Sequence, residues 1–209
     1  SDENKELFIK DKDVDFSYSL TNARFRGNAY YRQGLISIAL RLIPKQIKTL
    51  TELNLPPILE SFTRKQQGFF LCVGPIGQGK STTLASLIEI INQTRNEHIM
   101  TIEDPIEYKI DSINQVPINN KVGLSFELVL KNILRQDPDI IFIGEIRDKF
   151  SLDIALQASL TGHLVLASIH SSSSVETITR LIDLKADPFL ISTTLKAVMA
   201  QRLVLAHCK

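Results

Sequence analysis

Four stretches of the chain are apolar almost without interruption: FFLCV (69–73), HIMTIE (98–103), DIIFIGE (139–145) and HLVLASIH (163–170). A strand that is apolar throughout hides both faces, and such strands belong to parallel sheets covered by helices. The segments between them carry the helical period instead. Leu84, Leu87, Ile88 and Ile91 recur at i, i+3, i+4 and i+7, as do Phe126, Val129, Leu130 and Ile133 behind a Ser125 N-cap. Leu152, Ala155, Leu156 and Ser159 predict a shorter helix that stops at Gly162. Val175, Ile178, Leu181 and Ile182 predict another, and Ile191, Leu195, Val198 and Met199 a last one. YKIDSINQVPI adds one or two short strands. Strands alternating with helices make an α/β fold around a mostly parallel sheet with right-handed crossovers.

Residues 14–43 read differently. VDFSYSL, ARFRGNAYYR and LISIALRLI alternate with period two, the mark of antiparallel strands with one buried side. Three short strands make a poor core alone, so they read as part of a domain. Pro44 closes the region, which places the boundary near residues 44–48 and divides the chain into 1–46 and 47–209. Just beyond, Thr49 and Glu52 stand at capping-box spacing and predict a short helix, which Pro56-Pro57 breaks or restarts.

Between FFLCV and the helix that follows lies GPIGQGKS, residues 74–81. It matches G-x-x-x-x-G-K-[ST], and the strand before and helix after are the context that pattern requires. Glycines at 74, 77 and 79, with Pro75 between them, let successive N–H groups point at one concave spot. The helix start, with Ser81 and Thr82, adds unpaired N–H groups and the positive end of its dipole. Lys80 brings a full charge to the β- and γ-phosphates, and the Ser81 hydroxyl suits Mg²⁺. A guanine-reading N-K-x-D motif is absent from the sequence, which favours ATP.

Phosphate chemistry needs acids where the parallel strands end beside this loop. Two strands deliver them. IIFIG ends in Glu145, preceded by Gly144 where a metal-holding Asp usually stands, and IMTI ends in Glu103, followed by Asp104 and Pro105. Either glutamate can polarise water, and Glu145 can reach Mg²⁺ through a water. The bland reading is a solvated strand end, or for Glu145 a pair with Arg147. His163 and His170 bracket one strand and lie roughly 23 Å apart at ~3.3 Å per residue, too far to share a metal. His170 falls on the phosphate side, where it can hydrogen-bond the γ-phosphate; His163 falls at the opposite edge.

Composition excludes several classes. Net charge is +1 and charged residues make up 22%, so no global field draws nucleic acid or an anionic membrane. No apolar run nears the ~20 residues of a membrane span. The chain opens SDENKELF, without an initiator Met or a signal peptide, and reads as a fragment or processed chain. Its two cysteines, Cys72 and Cys208, have no metal spacing. Cys72 reads as a small buried hydrophobe, and the pair fits a reducing, cytosolic compartment.

Taken in order and spacing, GPIGQGKST, TIEDPIEY, LRQDPDIIFIGEIRD and LTGHLVLASIHS resemble the Walker A, Asp box, Walker B and His box of the type II/type IV secretion ATPases. The resemblance runs from about residue 14 to 207. It implies a RecA-like P-loop NTPase core, ATP with Mg²⁺, a cytoplasmic hexameric ring at the inner membrane, and a platform protein of a pilus or secretion machine as partner. It also implies that the alternating strands are the end of a partial PAS-like N-terminal domain. It tips Arg26 and Arg41, otherwise sheet-face arginines, toward contact with the nucleotide of an adjacent subunit. ARFRGN and LTELNLPP lean toward retraction motors. INQVPINNKVGLSF and LIDLKADPFLISTTLKAVMAQRL lean toward assembly and secretion motors, so the direction of force stays open. Only Cys208 is left of the four-cysteine zinc motif that some relatives carry, and no zinc is carried over. A P-loop phosphotransferase and a nucleotide-gated scaffold with little turnover remain the alternatives.

Overall fold

A computed structural model describes residues 2–20, 23–43, 46–119 and 122–205. Pro44 and Cys208 lie outside the described residues. The chain forms two compact units, residues 1–47 and 48–209.

The first unit opens with helix α1 (Asp2–Asp11), followed by β1 (Asp13–Ser19), β2 (Arg24–Arg32) and β3 (Leu35–Ile43) in an antiparallel sheet of that order. The helix is an addition to the sequence reading. Phe8 on α1 stacks on Tyr31 of β2 at 5.1 Å, with the Lys12 ammonium over the same ring. The register sets Val14 opposite Ala29, and Ala29 opposite Ile38. Val14 and Ala29 are buried, as the alternation predicts, but Ile36, Ile38, Leu40 and Leu42 on the same side are 58–59% exposed. The expectation of a buried side therefore holds at Val14, Gly27 and Ala29, fails at Tyr18 and Tyr31 on the same side, and fails along β3, which α1 leaves uncovered. On the polar side, Asn28 donates to Asp13 and Asp15, and Arg26 sits directly across from Arg41.

The second unit begins with a single turn in which Thr49 and Glu52 make the predicted reciprocal hydrogen bonds. It does not extend into a helix: Asn54 turns left-handed, and regular structure restarts at Pro57 with one 3₁₀ turn and α2 (Glu60–Thr63). The rest alternates. The order is β4 (Gly68–Val73), α3 (Lys80–Thr94), β5 (Ile99–Glu103), β6 (Asn114–Pro117), α4 (Phe126–Ile133), β7 (Ile140–Ile143), α5 (Lys149–Leu160), β8 (Leu164–Ile169), α6 (Ser174–Asp183), α7 (Pro188–Thr194) and β9 (Leu195–Ala200).

The strands form one six-stranded sheet, ordered β6-β5-β7-β8-β4-β9, in which every pairing is parallel. One face packs under α4 and α5 through Phe69, Leu71, Ile102, Ile143 and Val165, and residues of the other parity such as Phe70 and Leu166 are equally buried. Because all strands run the same way, β4, β5, β7 and β8 end at one edge, where the phosphate loop starts.

The last predicted helix is a misreading. Ile191 belongs to α7, but Leu195, Val198 and Met199 lie on β9, paired in parallel with β4. The helical spacing in that stretch is coincidental. Asp187 caps α7, its side chain accepting from the Phe189 N–H, and the free edge of β4 takes the following apolar run as a strand, tertiary pairing overriding local period.

Candidate active site

The loop after β4 and the first turn of α3 form one wall of a cleft of about 600 Å³, with Ile76, Gly77, Lys80 and Ser81 on it. The ends of β5, β7 and β8 bring Glu103, Glu145 and His170 to the same space. Gly79 is the N-cap of α3 at φ 80°, a left-handed conformation that glycine adopts without strain. A side chain at Gly74 would meet the Gln201 carbonyl at 2.6 Å, so that glycine is required by close approach.

Lys80 is buried, and its ammonium donates back to the Gly74 carbonyl at 2.8 Å and the Pro75 carbonyl at 2.9 Å. His170 Nδ1 completes a triangle, 3.3 Å from Lys80 Nζ and 3.3 Å from the Gly74 oxygen. On its other side His170 Nε2 lies 2.5 Å from Glu145 Oε1. A ring that accepts from Lys80 and donates to Glu145 carries its proton on Nε2. The second oxygen of Glu145 accepts from Arg147 Nε at 2.8 Å, and Arg147 lies 3.6 Å from Asp104. Burial pushes the Lys80 ammonium down from the ordinary lysine value; the Arg202 charge pushes the same way, while Glu145 and Glu107 oppose it.

Glu103 sits deeper, 7% exposed. Thr101 Oγ1 donates to its Oε1 at 2.7 Å, and Gln115 Nε2 donates to the same oxygen at 3.0 Å. Burial raises its carboxyl above the usual carboxylate range, and those hydrogen bonds hold it back. A Cβ at Gly144 would lie 3.1 Å from the Ile102 carbonyl, a tight contact on the strand that presents Glu103.

The profile for "Type II/IV secretion system protein" matches residues 1–209. The chain belongs to that family. It is 46% identical to the type II secretion system protein E of Pseudomonas aeruginosa over 178 residues, 82% of this chain and 35% of that protein. It is 38% identical to a twitching motility protein of Neisseria gonorrhoeae over 99% of this chain and 58% of that one. The crystal structure of the pilus retraction motor PilT with bound ADP superposes with a TM-score of 0.89 at 37% identity, covering 98% of this chain and 62% of that one. The Legionella pneumophila ATPase DotB follows at a TM-score of 0.80 and 30% identity, covering 96% and 60%. The chain thus spans between about a third and three fifths of these relatives.

Lys80, Ser81, Gly77, Glu103, Glu145 and His170 line one cleft. Thr82 faces the loop after β5, where its hydroxyl meets the Tyr108 hydroxyl at 2.9 Å. His163 does not join them: its Nδ1 and backbone N–H both lie on the Ala158 carbonyl, in the last turn of α5. It closes a helix end. Cys72 is buried, and burial pushes its thiol up to about 12, so it stays protonated. Arg26 and Arg41 belong to the other unit, exposed on its polar sheet side. Among the described residues no helix is long and apolar enough to cross a membrane.

Arg147, read from the sequence as a partner of Glu145, makes that pair and lines the cleft beside it. Arg202 and Gln201 have no place in the sequence reading of the site. Arg202, just past β9, donates to the Ser172 carbonyl behind His170. Gln201 accepts from Thr83 Oγ1 at 2.8 Å, and its N–H donates to the Val73 carbonyl. The available signal was the polar pair Gln201-Arg202, which interrupts the apolar run 197–205.

Proposed function

We propose that this chain is the catalytic portion of a motor ATPase that hydrolyses ATP to drive type IV pilus assembly or retraction or type II secretion. The observation that carries the reading is the convergence of the buried Lys80 ammonium, His170 and two glutamates on one cleft at the mouth of a phosphate loop. The loop N–H groups and the N-terminus of α3 bind the phosphates. Lys80 exchanges its carbonyl partners for phosphate oxygens, a stronger charge-assisted pairing.

Glu103 is the better proton acceptor. Its carboxyl is raised toward neutrality by burial, as a general base requires, whereas both oxygens of Glu145 are held by cationic or N–H donors. Glu103 takes a proton from water as the water oxygen bonds the γ-phosphorus and the bond to the bridging oxygen breaks, leaving ADP and phosphate. Ser81 and, through water, Glu145 are the residues that would hold Mg²⁺. Hard oxygen ligands facing a phosphate site fit that ion, which keeps several waters and takes few protein groups. When bound, it neutralises charge on the β- and γ-oxygens. His170, held between Lys80 and Glu145, senses the γ-phosphate in this reading.

The active unit we propose is a homo-oligomeric ring, hexameric, docked on an inner-membrane platform protein at its cytoplasmic side. Arg26 and Arg41 act in it on a neighbour's nucleotide. Their direct opposition across β2 and β3 sets two like charges together, a destabilising pair unless an anion is shared. The test is phosphate release, with and without candidate acceptors. Lys80→Ala is expected to lower turnover by about 10²–10³-fold while circular dichroism shows the fold retained. Wild-type hydrolysis in that variant would remove the reading.

A further inference from the structure

Gln115 is a half-buried amide on the edge strand β6, and the reading above gives it no role. Its register partner on β5 is Thr101. Both send a donor to one oxygen of Glu103. Its second N–H donates to the Tyr108 carbonyl at 2.8 Å, and its own oxygen accepts from the Ile110 N–H at 2.8 Å. The orientation is fixed by this set: two acceptors face the nitrogen and one N–H faces the oxygen, so the reversed amide would oppose like groups at all three contacts.

We propose that Gln115 is a positioning residue for the reaction, its amide holding the Glu103 carboxylate toward the cleft and folding residues 104–110 beneath it. The chain leaves β5 at Glu103, passes the cis peptide of Asp104-Pro105, and returns to Gln115 at Tyr108 and Ile110. Tyr108 in turn meets Thr82 in the first turn of α3. One side chain therefore ties the proposed base to the loop whose far end touches the phosphate-binding helix. A buried carboxylate with several accessible rotamers loses geometry when such a donor goes, and misplacement of about 1 Å costs on the order of 10²-fold.

This inference rests on Glu103 being the base, and the experiment separates the two. ATP turnover and nucleotide affinity are measured on the full chain for Gln115→Met, Glu103→Gln and the double variant. Gln115→Met keeps the length and removes the hydrogen bonds. It is expected to lower kcat tenfold or more with KM for ATP changed less than threefold. In the Glu103→Gln background, followed by single-turnover hydrolysis, it is expected to cost less than twofold, because contacting groups that act together are not additive.

Wild-type kcat in Gln115→Met, with Glu103→Gln inactive, overturns the inference alone. Equal losses in both backgrounds overturn it as well, since they describe general damage. Full activity of Glu103→Gln removes the base assignment and this inference with it. Should Gln115→Met fail to fold, Gln115→Glu keeps size and the acceptor for Ile110. It is expected to move the acidic limb of the pH–rate profile upward, by setting a carboxylate against Glu103. The other charged and titratable groups that line the cleft with Glu103 are Asp104 and Glu107 on its own loop, Lys80 on α3, Glu145, Arg147 and Asp148 after β7, and His170 after β8. All are untouched by the substitution, so an unmoved limb counts against the inference.

Discussion

Leu40 in β3 and Leu166 in β8 each sit mid-strand in an apolar-rich run, yet one is 58% exposed and the other 2%. The difference is what lies over each sheet. β8 runs between β7 and β4 under packed helices. β3 is the edge of a three-stranded sheet whose single helix reaches Tyr31. A period in the sequence tells which side of a strand is apolar. Whether that side is buried depends on partners, which no local pattern records. The large sheet, apolar on both sides, needs its covering helices to exist at all; the small one tolerates an open side.

The comparison also divides chemistry from shape. The large sheet ends in every candidate catalytic group except the two arginines, which the small sheet offers on its polar side. The sharpest way to break that division is to mix subunits. Lys80→Ala chains with intact arginines, combined with Arg26→Ala/Arg41→Ala chains with an intact phosphate loop, are expected to regain turnover that both parents lack. An arginine supplied from a neighbour contributes about 10³–10⁵-fold. Equal inactivity of the mixture, with subunit exchange demonstrated, confines the chemistry to the large sheet.

Next in size is the core itself. Leu166→Ala is expected to cost about 2–5 kcal/mol in denaturant unfolding. A smaller effect distinguishes strain from support within the large sheet. Glu103 has a raised carboxyl pKa because of burial, so its ionisation opposes folding: stability present while it is protonated is lost as pH rises through its folded value. Glu103→Gln is thus expected to raise the melting temperature at pH 7 by about 1–4 °C. The gain should vanish below pH about 4, where the carboxyl is protonated in both states. A variant that melts lower at pH 7 contradicts the burial argument. Smallest of all, Leu40→Ala in the open sheet is expected to change stability by no more than about 0.5 kcal/mol. A loss near that of Leu166→Ala would mean that β3 is covered in solution.

Much of the large unit was legible because its signals are local. Continuous apolar runs gave β4, β5, β7 and β8; the glycine pattern gave the loop; strand ends gave Glu103, Glu145 and His170. Ser125 caps α4 as read, accepting from the Leu128 N–H at 3.3 Å. The losses are mostly of tertiary adjacency. Leu195, Val198 and Met199 fit a helical spacing by chance, and only the free edge of β4 makes them a strand. Thr49 and Glu52 bond as a capping box should, but a box starts a turn and cannot lengthen it. Gln115, Tyr108 and Arg202 lie in stretches that carry the resemblance but have no role legible there; each acquires meaning from a residue 7 to 30 positions away.

The attachment of residues 201–203 to the phosphate loop has a mechanical side. β9 runs parallel to β4, the Gln201 N–H bonds the Val73 carbonyl, and the Leu203 N–H bonds the Gln78 side chain at 2.6 Å. A tug on the chain beyond Leu203 along the strand axis loads these bonds side by side, in shear, rather than peeling them one at a time. The linkage ends on Gln78, two residues before Lys80. Tension in that tail is therefore felt first in the loop that leads into α3, and a shift of the loop is felt first in the tail.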